Sequence, residues 1–519
     1  MNFKLNKIFR ITIQIRLLFI FSFAIVSSLH IAAQKIISKT NINYILRVDT
    51  SDRSGYDVEI HISDAPKIFH LAMATHNEYD DRYWRYVENF RVHPEGKNNY
   101  VREDSALWKI ISAVKNVVIK YRIHLPASNE IQRPVWKPFL SLTGGMVGDI
   151  HSFMYLTELP QTPSHITFQL PAGWQIATGL ETTNKPNTFY APNAKVLMDC
   201  PVLVGKFYTW NFSIKEVQHK IVYWPLSNAT SFDTLLLVNN IKKIVQETVK
   251  LFDTIPYRNY TFLLQDGAYA ALEHSSSVTI GLPSATFEKE KADMNNEIAH
   301  EYFHAWNLVS LHPAEYSDVY YGPQEKAAGL WWSEGLSMFY ADLLLRRANL
   351  PADDSTRIIH LEKLIESYFS NPGNANISPE KASLESNEQP GGLGDYYPSV
   401  HLQGELLGTM LDFIIRDATN NKRSIDDVMR KMFKDFSGSK GFYSADIERT
   451  VKDICNCDVH SFFENYVYHA NEINFNNYLK LIGKKIEVTW AAANENGKPM
   501  PDLNIYPWIK RGETIVRIG

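Results

Sequence analysis

Three cysteines in 519 residues, Cys200, Cys455 and Cys457, are too few for a disulfide framework. Cys455 and Cys457 stand two apart with no second pair and no His cluster beside them, so buried or incidental thiols are expected there rather than a metal site. Excess positive charge is missing too: 53 Lys and Arg against 57 Asp and Glu leave a net charge of -4, which argues against nucleic acid as a partner. No internal repeat or low-complexity tract stands out. Hydrophobic content of 45% with 13% aromatics rules out a disordered chain, and the length allows two or three domains.

The apolar run "LLFIFSFAIVSSLHIAA" follows Lys4, Lys7, Arg10 and Arg16 and ends in small residues. It is expected to be a secretory signal over 1–33, cleaved after Ala33, which makes the mature protein secreted or periplasmic with no stable membrane insertion. The rival is an uncleaved anchor helix, since the run approaches the ~17 to 25 residues that span a bilayer.

From residue 34 to 205 short alternating runs such as "YDVEIHI" and "NVVIKYRIHL" lie between Pro, Gly, Asn and Asp clusters, the pattern of an antiparallel β domain. Near Ser231 the period changes, and helices dominate beyond Lys291, with strong stretches at 293–309 and 329–348. "NPGNANISPEKASLESNEQPGGLGD" reads as a long loop, and Ser424 and Ser444 read as N-caps of later helices. Residues 206–480 thus form a mainly helical domain. Strands return in 481–519, which is too short for a core of its own. The fold class expected is α+β.

The stretch "NEIAHEYFHAWN", 296–307, places Glu297, His300, Glu301, His304 and Asn307 along one helix face, with Ile298, Tyr302, Phe303 and Trp306 largely off it. His300-Glu301-Tyr302-Phe303-His304 matches H-E-x-x-H, in which i, i+4 imidazoles present two nitrogens to one zinc ion and the adjacent acid can reach a metal-activated water. A third ligand is needed. Glu334 is the one acid among the aromatics of "GLWWSEGLSMFYADLLLRR", where an unpaired carboxylate would be costly; the rival is Glu325, in the loop-like "YGPQEKAAG".

Together, "HEYFHAWN" and "WWSEGLSMFYADLLLRRANL" resemble the glycyl aminopeptidase family of zinc metallopeptidases, relatives of thermolysin and leukotriene hydrolase. The likeness extends to "ALEHSSS" at 271–277, "DCPVLVGKF" at 199–207, "LDFIIRDATNNKRSIDDVMR" and "FENYVYHANEINFNNYL". The resemblance implies a thermolysin-like catalytic domain, peptide substrates losing N-terminal residues, often glycine or alanine, and a C-terminal PDZ domain, which is expected to be truncated to 481–519 or absent. It also implies that Glu273 binds the substrate ammonium. Two departures stand out. The family's glycine-rich approach to Leu-Glu-His reads Ala270-Ala271, and the family's tyrosine three residues before Gly404 is His401, with Tyr396 and Tyr397 nearby but out of register.

On this reading His300, His304 and Glu334 hold the zinc, Glu301 is the general base, and His401 or Tyr397 donates to the oxyanion. Asn307 and Glu297 are candidates to hold the imidazoles. The alternatives are a zinc endopeptidase and a catalytically silent peptide-binding protein.

Overall fold

The computed structural model describes residues 40–76, 82–125, 133–287, 289–316, 319–323, 325–352, 354–386, 398–492, 494–495, 498–499 and 512–518. The expected signal at 1–33, and with it the expected localisation, lies outside these residues, as do Tyr396 and Tyr397. Among the described residues no helix is long and apolar enough to cross a membrane.

Alternation builds the first half of the chain. In Gly55–Ser63, Val58, Ile60 and Ile62 are buried while Asp57, Glu59 and His61 stay partly exposed, as a strand with one face on a core requires. This strand lies in a seven-stranded sheet, and two four-stranded sheets accompany it. Their inner faces share a core of residues such as Leu46, Phe69, Ile110, Phe153 and Phe168. The expectation of a purely antiparallel domain needs a correction, because Asn41–Arg47 pairs in parallel with Ser164–Gln169. Alternation marks a strand but not the direction of a partner so distant in sequence.

The second half begins with a sheet ordered β1 (Tyr208–Ile214), β2 (Val217–Trp224), β3 (Asn259–Gln265), β5 (Ser277–Gly281) and, at the edge, β4 (Ala271–His274). β4 runs antiparallel to β5. Against this sheet pack α2 (Thr234–Phe252) and α3 (Lys291–Phe303), preceded in the chain by the short α1 (Ala194–Met198). α4 (Leu330–Arg347) is apolar nearly all round, with Trp331, Trp332, Leu336, Tyr340 and Leu344 fully buried, so it runs through the centre of the domain. α7 (Val400–Ala418) crosses it with backbones in contact: a Cβ on Gly404 would sit 1.8 Å from the Trp331 carbonyl oxygen, and one on Gly335 would sit 2.2 Å from the Gly404 Cα. Between α4 and α7 come α5 (Arg357–Ser370) and α6 (Pro379–Leu384), and after them α8 (Ile425–Phe436) and α9 (Ser444–Cys455).

Several local expectations change. The helix expected over 293–309 ends at Phe303, because Asn307 turns its side chain onto the Ser333 carbonyl at 2.9 Å and Leu308 adopts φ 146°. Part of the expected long loop is helical: α6 starts at Pro379, with Ser378 accepting from the Lys381 amide, a start signal hidden inside a Pro- and Asn-rich stretch. Residues 387–397 of that loop lie outside the described ones. Ser444 is not an N-cap. Tyr443 takes that place, and the Ser444 hydroxyl accepts instead from the Trp331 indole at 3.4 Å. Cys455 and Cys457 are not free thiols but a disulfide at the end of α9, across Asn456 in a left-handed conformation; Cys200 is free and buried. The tail pairs Ile486–Ala492 with Gly512–Ile518 in antiparallel sense, the latter beside α5.

Candidate active site

α3 is aromatic behind and ionisable in front. Tyr302 hydrogen-bonds Tyr257, whose hydroxyl meets His219 at 2.9 Å, and the Trp306 indole donates to the Thr254 carbonyl at 3.1 Å. These contacts fix the helix against the sheet. The opposite face then has to carry His300 and Glu301 into the cleft, followed by His304 at the helix end.

The three expected ligands meet. His300 Nε2 and His304 Nε2 are 2.9 Å apart, and Glu334 Oε2 lies 3.3 and 3.4 Å from them. A point about 1.9 Å from all three atoms exists between them, against Zn–N and Zn–O bonds of ~2.0 to 2.2 Å, so the three atoms are spaced as ligands of one zinc ion would be. The chemistry agrees: His304 Nδ1 donates to the Asn307 carbonyl at 3.0 Å, with the Ser337 hydroxyl at 3.2 Å, which fixes the tautomer and leaves the Nε2 lone pair for a metal. Asn307 thus braces His304 through its backbone, not its side chain. Glu297 does not hold His300, whose Nδ1 has no hydrogen-bond partner among the described residues. Burial pushes the Glu297 carboxyl up to about 7. Glu325 joins neither group of converging metal-type ligands among the described residues, whereas Glu334 does.

Burial lowers His300 to about 4 and keeps it neutral, with His304 adding to the effect. For His304 burial works the same way but is outweighed by Glu334, Glu273 and Glu301, which hold it well above its ordinary value. Burial likewise pushes Glu334 up, yet the imidazoles of His304, His401 and His300 hold it well below the usual carboxylate range.

Three further groups face this point. His401, half exposed on the first turn of α7, puts Nε2 3.0 Å from Glu334 Oε2. Glu273 on β4 and Glu301 on α3 bring their carboxylates within 4.8 Å of His304 and of each other. Ala270, just before β4, takes φ 62°, a left-handed conformation that glycine adopts freely; the departure from a glycine-rich approach therefore adds local strain as well as a methyl group.

Two contributors escaped sequence reasoning. Asp199, capping α1 in the β-rich half, accepts from the Ser275 amide at 2.7 Å and from the Ser275 hydroxyl, and its other oxygen meets His274 Nδ1 at 3.2 Å. It pins the strand that carries Glu273. Burial raises its carboxyl, but His274 and Ser275 outweigh that and hold it low. Ser337 is the other, and its signal was available: a polar residue three past Glu334 in an apolar helix faces the same way.

Residues 43–206 match the Peptidase M61 N-terminal domain and residues 294–406 match the M61 glycyl aminopeptidase domain, which holds the His300, His304 and Glu334 cluster. The chain belongs to the M61 glycyl aminopeptidase family. It is a metallopeptidase of the aminopeptidase type, and His300, His304 and Glu334 form its candidate metal site. Among solved structures, an aminopeptidase N family protein from Idiomarina loihiensis has a TM-score of 0.77 at 18% identity, over 88% of this chain and 80% of that one. An M1 zinc metallopeptidase from Deinococcus radiodurans has 0.52 at 13%, over 84% and 94%. A mutant of it bound to a Tyr-Ser-Ala substrate has 0.53 at 14%, over 84% and 95%. These show that this M61 member shares the α+β fold of the M1 enzymes, a β-sheet domain followed by a helical part. No curated protein matches the sequence.

Proposed function

We propose that the protein removes N-terminal residues from peptides, with His300, His304 and Glu334 holding one zinc ion and Glu301 as general base. The observation that carries this reading is the convergence of two Nε2 atoms and one carboxylate oxygen, with Glu301 and Glu273 beside them. A zinc ion held by His300, His304 and Glu334 would supply Lewis acidity and lower the pKa of a water beside it. Glu301 takes the proton from the attacking water and passes it to the leaving amine. Glu273 receives the substrate ammonium, and with the strand pinned by Asp199 it closes one end of the cleft, which favours an aminopeptidase over an endopeptidase. His401 donates to the developing oxyanion. The Deinococcus radiodurans mutant with its tripeptide is consistent with a short peptide entering by its N-terminus.

The test is to purify the protein, measure bound zinc, and compare free with N-acetylated peptides. Glu301→Gln should retain zinc and lose turnover by ~10² to 10⁴. Loss of the metal in that variant would remove Glu301 from the role of base, and equal cleavage of free and acetylated peptides would favour the endopeptidase.

A further inference from the structure

Where the motif helix ends, the cleft opens into a cavity of about 150 Å³. One wall is the chain directly after His304: Leu308 and Val309, the latter's amide held by the His304 carbonyl at 3.0 Å. Leu308 is fixed in place, because it is buried with Tyr316, Ala327 and Leu330 and its φ of 146° leaves the backbone few alternatives. The β-rich half contributes Ala74, Ile150 and Met198, and Val319 also lines the space. Glu273 lines it too, with its carboxylate within 4.8 Å of the ligating atoms of Glu301 and His304.

We propose that this cavity receives the side chain of the substrate's N-terminal residue and selects a bulky apolar one, aromatic or long aliphatic, over glycine and alanine. The proposal rests on the aminopeptidase reading: once the ammonium is at Glu273 and the carbonyl is at the metal, the side chain between them lies beside Glu273, where the cavity is. Size argues for a large group, since a pocket of about 150 Å³ is one that takes up benzene. Glycine would leave it to water. The chemistry points the same way, because Asp199, Ser275 and His312 in the lining have other tasks. Asp199 is taken by Ser275 and His274, and both ring nitrogens of His312 meet carbonyl oxygens, of Pro313 and Gly438, at 2.8 Å. Lys195, also in the lining, places a positive charge against an arginine or lysine side chain. Thr75, His76, Tyr316 and Tyr320 add polar atoms to the lining, and the rest of the wall offers apolar contact from Ala74, Ile150, Met198, Leu308, Val309 and Val319. This preference departs from the small N-terminal residues that the family resemblance implies, and the peptide series below decides between the two.

The experiment measures kcat/KM for X-Ala-Ala tripeptides with X as Phe, Leu, Ala, Gly or Arg, alongside acetyl-Phe-Ala-Ala. Phe and Leu should exceed Ala by about 10²-fold, with Gly and Arg lower still. Ala74→Phe fills the cavity from one side and Val319→Trp narrows it from another, so the second serves if the first does not fold. In either folded variant the Phe-to-Ala ratio should fall at least tenfold, through KM. Faster cleavage of Gly and Ala peptides by the unaltered protein, or an unmoved ratio in both folded variants, overturns the proposal while leaving the aminopeptidase reading intact. Cleavage of acetyl-Phe-Ala-Ala as fast as the free peptide brings down that reading and the proposal with it.

Discussion

Gly404→Ala tests whether the crossing of α4 and α7 sets the metal geometry. The added Cβ would lie 1.8 Å from the Trp331 carbonyl oxygen and 2.7 Å from the Gly335 Cα. Ordinary contact is ~3.5 Å, so the helices must separate by about 1.7 Å, and no rotamer relieves a clash between backbones. Overpacking of a core costs ~1 to 3 kcal/mol when side chains can yield; here we expect about 3 kcal/mol or more. The catalytic effect is separate. Glu334 directly precedes Gly335, His401 lies one turn before Gly404, and their side chains meet at 3.0 Å. A displacement on the order of 1 Å costs ~10² in turnover. Gly408→Ala is the control, because its Cβ would meet only the Leu336 methyl groups at 3.0 and 3.3 Å, which can shift; it should cost under ~1 kcal/mol. Urea unfolding gives the stabilities, and metal analysis after dialysis gives zinc retention. A Gly404→Ala protein with unchanged unfolding midpoint, zinc and turnover would refute the idea that this contact positions the site.

The ligand assignment predicts that Glu334→Gln weakens zinc retention by ~10² or more while Glu325→Gln keeps it, as read by metal analysis against a competing chelator; the reverse pattern would transfer the ligand. His401→Ala should lower turnover by ~10² with zinc little changed, and His401→Tyr should restore much of it. If Tyr397→Phe causes the loss instead, the oxyanion donor comes from that tyrosine. His360 joins Asp354 at 3.2 Å and Glu405 at 2.9 Å. Burial lowers its pKa, but Glu405, Asp342 and Asp354 outweigh burial and raise it. Its contribution to stability is therefore full below the unfolded value of ~6.5 and is lost as pH rises through the raised folded value. Urea midpoints of the unaltered protein should fall along that alkaline limb, and His360→Gln should flatten it; parallel profiles for the two would contradict this.

The metal-type residues were legible because each belongs to a short-range pattern. His300, Glu301 and His304 follow helix spacing, and Glu334 is conspicuous as a lone acid among aromatics. Counting from Gly404 to His401 works because α7 is continuous from Val400, so three residues make nearly one turn. Long-range and competitive features were not legible. The parallel pairing of Asn41–Arg47 depends on a strand more than a hundred residues away, and Asp199 acts on a strand in the other half of the molecule. The early end of α3 is a contest between helix propensity and the pull of α4 on Asn307, which tertiary contact wins. Ser444 looked like a cap until Trp331 supplied another use for its hydroxyl.

The grip of Asp199 on Ser275 and His274 also bears on how the molecule comes into being. Synthesis runs from the N-terminus, and domains generally fold as units in that order, so the strands up to Gly205 can be complete before the segment bearing Glu273 has left the ribosome. Asp199 is then a fixed acceptor awaiting its strand. The end of the cleft that would greet a peptide's first residue is shaped against a surface already set. The metal-type cluster is completed later, because Glu334 follows further along the chain. A half-made chain therefore carries the anchor for the Glu273 strand before it carries all of the metal-type cluster.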